Sequence, residues 1–149
     1  MTSELPSMTL QAIGVVRSEI KQPSKHDFEN VISEIVIDSN LTEALDNLDE
    51  FSHIIVIYWM HQSRRPAPKK VHPRGNPEHS LMGVFATRSP DRPNPIGKAT
   101  VRLLERRGNV LKIKGLDAID GTPVIDIKPY IPGYDSVKNA KAPPWVIKQ

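Results

Sequence analysis

Short apolar, β-branched runs bounded by Pro, Gly, Asn and Asp recur along this chain, and each reads as a strand. The first is Leu10 to Arg17 (LQAIGVVR) and the second Val31 to Asp38 (VISEIVID). Ser52 to Met60 is apolar at both parities, which predicts a central strand covered on both faces. Met82 to Thr87 is the next strand. Lys98 to Leu104 sets Ala99, Val101 and Leu103 against polar neighbours, as a half-buried strand does. Val110 to Leu116 and Val124 to Lys128 complete the set, reached through turns at Gly108-Asn109 and Asp120-Gly121-Thr122-Pro123. Helical spacing occurs at Leu41, Ala44, Leu45 and Leu48, with Asn40 as the cap and Glu43 in a capping-box-like position. The pattern predicts a mainly β chain: a small antiparallel barrel of six to seven strands with one short helix. A barrel is preferred to a sandwich because closure removes the edges of such short strands. Neither a repeat nor a second domain is visible, so residues 1–149 are expected to form a single domain without a C-terminal extension.

Fourteen prolines in 149 residues reinforce this reading, since proline ends helices and suits rigid connections. Two connections are long: the polar stretch 18–30, which carries Pro23, and the Pro-rich, basic stretch 61–80. Loops of that length in compact domains are usually functional or disordered. The longest apolar run, Ile54 to Met60, falls far short of the ~18 residues of a membrane span. The N-terminus has no apolar signal core, so a cytoplasmic protein is expected. The absence of cysteine removes disulfides, thiolate nucleophiles, Cys-rich zinc sites and iron–sulfur clusters. A net charge of +3 is too small to indicate a nucleic-acid partner, but its distribution is uneven. From Phe51 through Pro77 there is no Asp or Glu, while Arg64, Arg65, Lys69, Lys70 and Arg74 crowd together with His61 and His72 beside them. Taken alone this is most simply a solvated loop; the sharper reading is a patch that tracks phosphates.

The segment with the most chemical content is Gly83-Val84-Phe85-Ala86-Thr87-Arg88-Ser89-Pro90-Asp91-Arg92-Pro93-Asn94-Pro95-Ile96-Gly97. Prolines on both sides of Asn94 stiffen it before any ligand arrives, which reduces the ordering cost of binding. Arg88 and Arg92 offer planar donor forks suited to a carboxylate or a phosphate. Three further segments accompany it: Ile13 to Ser18, Leu48 through Tyr58-Trp59-Met60 to His61-Gln62, and Leu116 through Asp120-Gly121-Thr122-Pro123 to Tyr130. Together they span nearly the whole chain and resemble the TsaA-like, or TrmO, family.

That resemblance implies a non-Rossmann β-barrel methyltransferase that binds S-adenosyl-L-methionine (SAM), forms a homodimer and uses no metal. In keeping with it, the eight glycines never fall as G-x-G, the phosphate turn of a Rossmann enzyme. The implied substrate is threonylcarbamoyladenosine beside the anticodon of tRNA, methylated on its exocyclic N6. The implied SAM contacts are His61 and Gln62 after the buried strand, Arg88, Lys98, and the turn Ile119-Asp120-Gly121-Thr122. Arg88 would meet the SAM carboxylate, Gln62 the adenine edge and Asp120 the ribose hydroxyls. Where the family often has Pro-Arg-Gln, this chain has Pro23-Ser24-Lys25, so Ser24 and Lys25 would have to supply that contact, and lysine cannot copy a bidentate arginine.

The accepting nitrogen must lose a proton, and Asp126 and His61 are the candidate bases. For Asp126, an ion pair with Lys128 is the stronger competing reading. Arg92 or Lys128 would meet the substrate's carboxylate, with Asn94 nearby in the stiff loop, and Lys69 and Lys70 would contact tRNA phosphates. Two alternatives stand beside this reading: a SAM methyltransferase acting on another RNA base or a small molecule, and a SAM- or RNA-binding module without catalysis.

Overall fold

The computed structural model of the chain describes residues 4–23 and 27–146. Its strands are β1 (Gly14–Arg17), β2 (Ile32–Ile37), β3 (His53–Trp59), β4 (Lys70–Val71), β5 (Met82–Gly83), β6 (Ile96–Arg107), β7 (Val110–Lys114) and β8 (Pro123–Pro129). Six of them close an antiparallel barrel in the order β1-β2-β7-β6-β3-β8, and β4 and β5 form a separate two-stranded sheet. The strand alternation decides what fills the barrel. Ser33, Ile35 and Ile37 of β2 are buried, as are Val101 and Leu103 of β6 and Leu111 and Ile113 of β7. On β3, Ile54, Val56 and Tyr58 join the core, and Ile55 is covered as well, as expected of a run apolar at both parities.

The segment expected to be an α-helix is instead two 3-10 turns, Ser39–Leu45 and Leu48–Glu50. Asp38, not Asn40, caps the first, its carboxylate accepting the Asn40 N–H at 2.9 Å. Asn47 adopts a left-handed backbone (φ 72°) between the two turns, which ends the run before a continuous helix can form. The apolar spacing still serves the core: Leu45 is buried and Leu48 packs against the same cluster. The strand expected over Met82 to Thr87 shortens to β5. The Thr87 hydroxyl and N–H both donate to the Val84 carbonyl, replacing ladder pairing by a tight turn over Val84–Ala86. The tail contains one helical turn at Pro132–Asp135, closed by Asp135 accepting the Ile131 N–H.

Antiparallel pairing sends three connections to one mouth of the barrel: 18–31 between β1 and β2, 60–95 between β3 and β6, and 115–122 between β7 and β8. The other mouth carries the 3-10 turns, the β6–β7 hairpin and the exit of β8. Gly97 is the second residue of β6, at the first mouth and opposite Tyr58. A Cβ there would lie 2.6 Å from Tyr58 Cζ, so only glycine lets the phenol ring lie across β6. No helix among the described residues is long and apolar enough to cross a membrane.

Candidate functional site

The three connections at that mouth enclose a cavity of about 690 Å³, within the ~300–1,000 Å³ range of small-molecule sites. The end of β3 contributes Tyr58, followed by Met60, His61, Gln62 and Ser63. The stiff loop contributes Arg88, Pro90, Asp91 and Arg92, and β6 contributes Ile96, Gly97, Lys98 and Ala99. The β7–β8 connection adds Asp117, Ala118, Ile119 and Thr122, and the β1–β2 connection adds Pro23 and Phe28. Of the residues picked from the sequence, the fold brings together His61, Gln62, Arg88, Arg92, Lys98, Ile119 and Thr122, which lie up to 61 residues apart in the chain.

Several others lie elsewhere. Asp120 does not face the cavity with a free carboxylate: Oδ1 accepts the Ser18 N–H at 2.9 Å and Oδ2 meets Lys21 Nζ at 3.0 Å. These bonds, the backbone one first, hold its pKa below the ordinary carboxylate value. With Asp120 N–H donating to Ile20 O and Gly121 N–H to Val16 O, this residue clamps the β7–β8 turn onto the β1–β2 connection. Gly121 takes φ 83° there, which favours glycine, and Thr122 is buried with its hydroxyl on Ile119 O. Asp126 and Lys128 sit outside the cavity and pair with each other at 2.9 Å, so the ion-pair reading of Asp126 holds. Asn94 is exposed and off the cavity wall, its carbonyl accepting the Ile96 N–H. Lys69 is exposed and lines neither hollow, while Lys70 lines a second groove beside the first. Ser24 and Lys25 lie outside the described residues, directly after the cavity residue Pro23.

The loop that carries Arg88 is held from within. Arg92 Nη1 donates to Thr87 O at 2.8 Å and Ser89 O at 3.1 Å, and Arg65 Nη1 donates to the carbonyls of Arg92 and Pro93. Asp91 accepts the Arg64 N–H at 2.5 Å and faces the Arg64 guanidinium at 3.9 Å. Arg88 and Lys98 have no ion-pair partner among the described residues. The cavity therefore presents two unspent cations beside the apolar surfaces of Phe28, Met60, Ala118 and Ile119.

Sequence reasoning passed over two further residues of the wall. Tyr58 is 7% exposed and donates its phenol to Asp117 O at 3.0 Å. Burial first, then the Asp117 charge, pushes its pKa up to about 12, against a smaller opposing pull from Arg88. Asp117 is exposed taken as a whole residue, yet lost hydration at the wall still raises its carboxyl above the ordinary value. Its carboxylate has no hydrogen-bond or ion-pair partner among the described residues. The available signal was a single acid between two core residues, Leu116 and Ala118.

Comparison with known proteins gives this geometry a context. A profile of the tRNA-methyltransferase O N-terminal domain matches residues 16–136. An S-adenosyl-L-methionine-binding protein of Archaeoglobus fulgidus is 45% identical over 134 residues, which are 87% of this chain and 94% of that protein. A second protein of that organism, named a probable S-adenosyl-L-methionine-binding protein, is 51% identical over 89% of this chain, but the match spans 36% of its length. The tRNA (adenine(37)-N6)-methyltransferase of Escherichia coli is 37% identical over 93% of this chain and 64% of its own. A crystal structure of TrmO superposes with a TM-score of 0.75 at 33% identity, over 93% of this chain and 62% of that one. The chain thus spans under two thirds of several proteins it matches and nearly all of others.

Proposed function

Because the chain belongs to the TsaA-like family of tRNA-methyltransferase O, we propose that it binds SAM in the barrel-mouth cavity and methylates N6 of threonylcarbamoyladenosine in tRNA. The observation that carries this reading is the convergence of His61, Gln62, Arg88, Lys98, Ile119 and Thr122 from separate connections onto one cavity. The donor set suits the ligand. Arg88 would hold the methionine carboxylate, Gln62 the adenine edge, and Phe28, Met60 and Ile119 the flat apolar faces. Asp120 acts as the clamp of the turn rather than as a ribose contact. SAM supplies, when bound, a methyl group activated by its sulfonium. The protein's part is to orient the acceptor, exclude water and take up one proton.

For that proton the cavity offers few acceptors. The Tyr58 phenol is spent on a carbonyl and hard to ionise, and Asp91 is engaged by Arg64. Asp126 is outside. His61, half-buried with its ring edge-on to Trp59 at 6.3 Å, and the unpartnered Asp117 remain. Asp117 is the base in this proposal, because its carboxylate lines the cavity without a hydrogen-bond or ion-pair partner among the described residues and lost hydration raises its pKa above the ordinary carboxylate value. The threonyl carboxylate of the substrate falls to what Arg92 has left after its two carbonyl bonds, with Lys98 beside it.

Two outcomes test the cofactor half. Calorimetry is expected to show SAM binding by the wild type, weakened in Arg88→Ala by at least ~1 kcal/mol for the loss of a charge-assisted bond. Undiminished affinity would remove Arg88 from the site. A homodimer belongs to the same proposal, because Trp59 and Ile96, paired across β3 and β6 at the rim, are left exposed. Sedimentation is expected to give about twice 16.7 kDa, and a monomer with full SAM affinity would contradict it.

A second reading has support of its own: relatives at 45% and 51% identity are named for SAM binding alone. In that reading the protein holds SAM without transferring its methyl group. Label that never passes from methyl-labelled SAM to RNA, despite tight SAM binding, would favour it.

A further inference from the structure

Beside the cavity runs a second groove of about 420 Å³, whose wall includes Arg64, Lys70, His72, Arg74 and Ser89. Pro90 and Asp91 line both hollows, so a two-residue ridge separates them. From the groove's charge, its ordered frame and this shared ridge, we infer that it binds the backbone phosphates of the RNA strand whose target base enters the cavity.

The charge balance favours an anion. The groove's one carboxylate, Asp91, is already bonded to the Arg64 N–H and faces the Arg64 guanidinium. Lys70 and Arg74 have no ion-pair partner among the described residues. The nearby chain from Phe51 through Pro77 contains no acid that could neutralise them.

The frame is also set before binding, unlike that of a solvated loop. Lys70 pairs with Gly83, and Val71 and Pro73, on either side of His72, are buried. His72 Nδ1 donates to the His79 carbonyl at 2.7 Å, leaving Nε2 for another partner. Arg74 is fixed at φ 58° by turn bonds from Gly75 N–H to His72 O and from Asn76 N–H to Pro73 O. Cations on a fixed frame lose less freedom when they engage phosphates.

The ridge supplies the register. A nucleotide with its base in the cavity must lead its backbone out over the rim, and the Pro90–Asp91 side is the one with unspent cations directly beyond it. This inference rests on the RNA reading of the substrate above.

The test compares wild type with the double variant Lys70→Ala, Arg74→Ala, titrating an anticodon stem-loop RNA carrying threonylcarbamoyladenosine at several salt concentrations. Losing two phosphate contacts is expected to flatten the slope of log affinity against log salt by about 1.4–1.8, with SAM affinity unchanged. Arg74→Glu, which leaves β4 intact, should weaken RNA binding further while also keeping SAM affinity. Unchanged slopes would overturn the inference, as would a groove that binds inorganic phosphate yet leaves RNA affinity unaffected by either substitution. Altered slopes without methyl transfer by the wild type would keep the groove and refute the substrate reading. Wild-type protein that binds no RNA would refute both.

Discussion

Replacing Asp117 by Asn is expected to slow methyl transfer to threonylcarbamoyl tRNA by about 10²–10⁴-fold, the usual contribution of a positioned general base. The base must be ionised to accept the N6 proton, so activity is present above its pKa in the folded protein and falls as pH drops through it. Lost hydration raises that pKa, and the wild-type acid limb should therefore begin at a higher pH than an ordinary aspartate would give. Asp117→Asn should lose that limb, and Asp117→Glu should restore part of the rate. A readout without substrate is available in Tyr58. The Asp117 charge helps to hold its phenol near a pKa of about 12, so the Asn variant should ionise it at lower pH, still above the ordinary value because the ring stays buried. Phenolate absorbance against pH measures this. A variant that keeps both its rate and its acid limb would shift the base assignment to His61.

The second large effect concerns the substrate. tRNA transcribed without the threonylcarbamoyl group is expected to be a worse substrate by about 10⁴-fold in kcat/KM, the scale of discrimination a site reaches when its polar groups lose their partner. The unmodified adenosine has no carboxylate for Arg92 or Lys98. It also lacks the carbonyl that acidifies the N6 hydrogen, so a carboxylate base such as Asp117 is too weak for it. Enzymatic installation of the group on the same transcript should restore methylation. Equal rates on both tRNAs would rule out the proposed substrate and leave open transfer to another position.

Much of the barrel is legible in the chain because β2, β6 and β7 bury one face and therefore alternate, and because β3, covered on both sides over Ile54–Val56, does not. The 3-10 turns are less legible. Leu41 to Leu48 has helical spacing, but a left-handed Asn47 breaks it, and periodicity carries no sign of a backbone reversal. At the site, His61, Gln62, Arg88, Lys98, Ile119 and Thr122 were accessible through family motifs, and the fold gathers them. Asp120 is a different case, because an Asp-Gly turn says nothing about where its carboxylate goes. Here its partner, the Ser18 N–H, lies 102 residues away and becomes a neighbour only once β1 pairs with β8. Asp117 escaped notice for the opposite reason. It lies inside the family-like segment from Leu116 to Tyr130, but nothing in that segment's spacing singles it out, and its interest comes from a cavity wall that exists only in three dimensions.

The most direct test of the central claim is nucleoside mass spectrometry after incubating the purified protein with methyl-labelled SAM and threonylcarbamoyl tRNA. Labelled N6-methyl threonylcarbamoyladenosine is expected, and is lost when Arg88 is replaced by Ala at SAM concentrations that saturate only the wild type. RNA that stays unlabelled while the protein binds SAM tightly would contradict it.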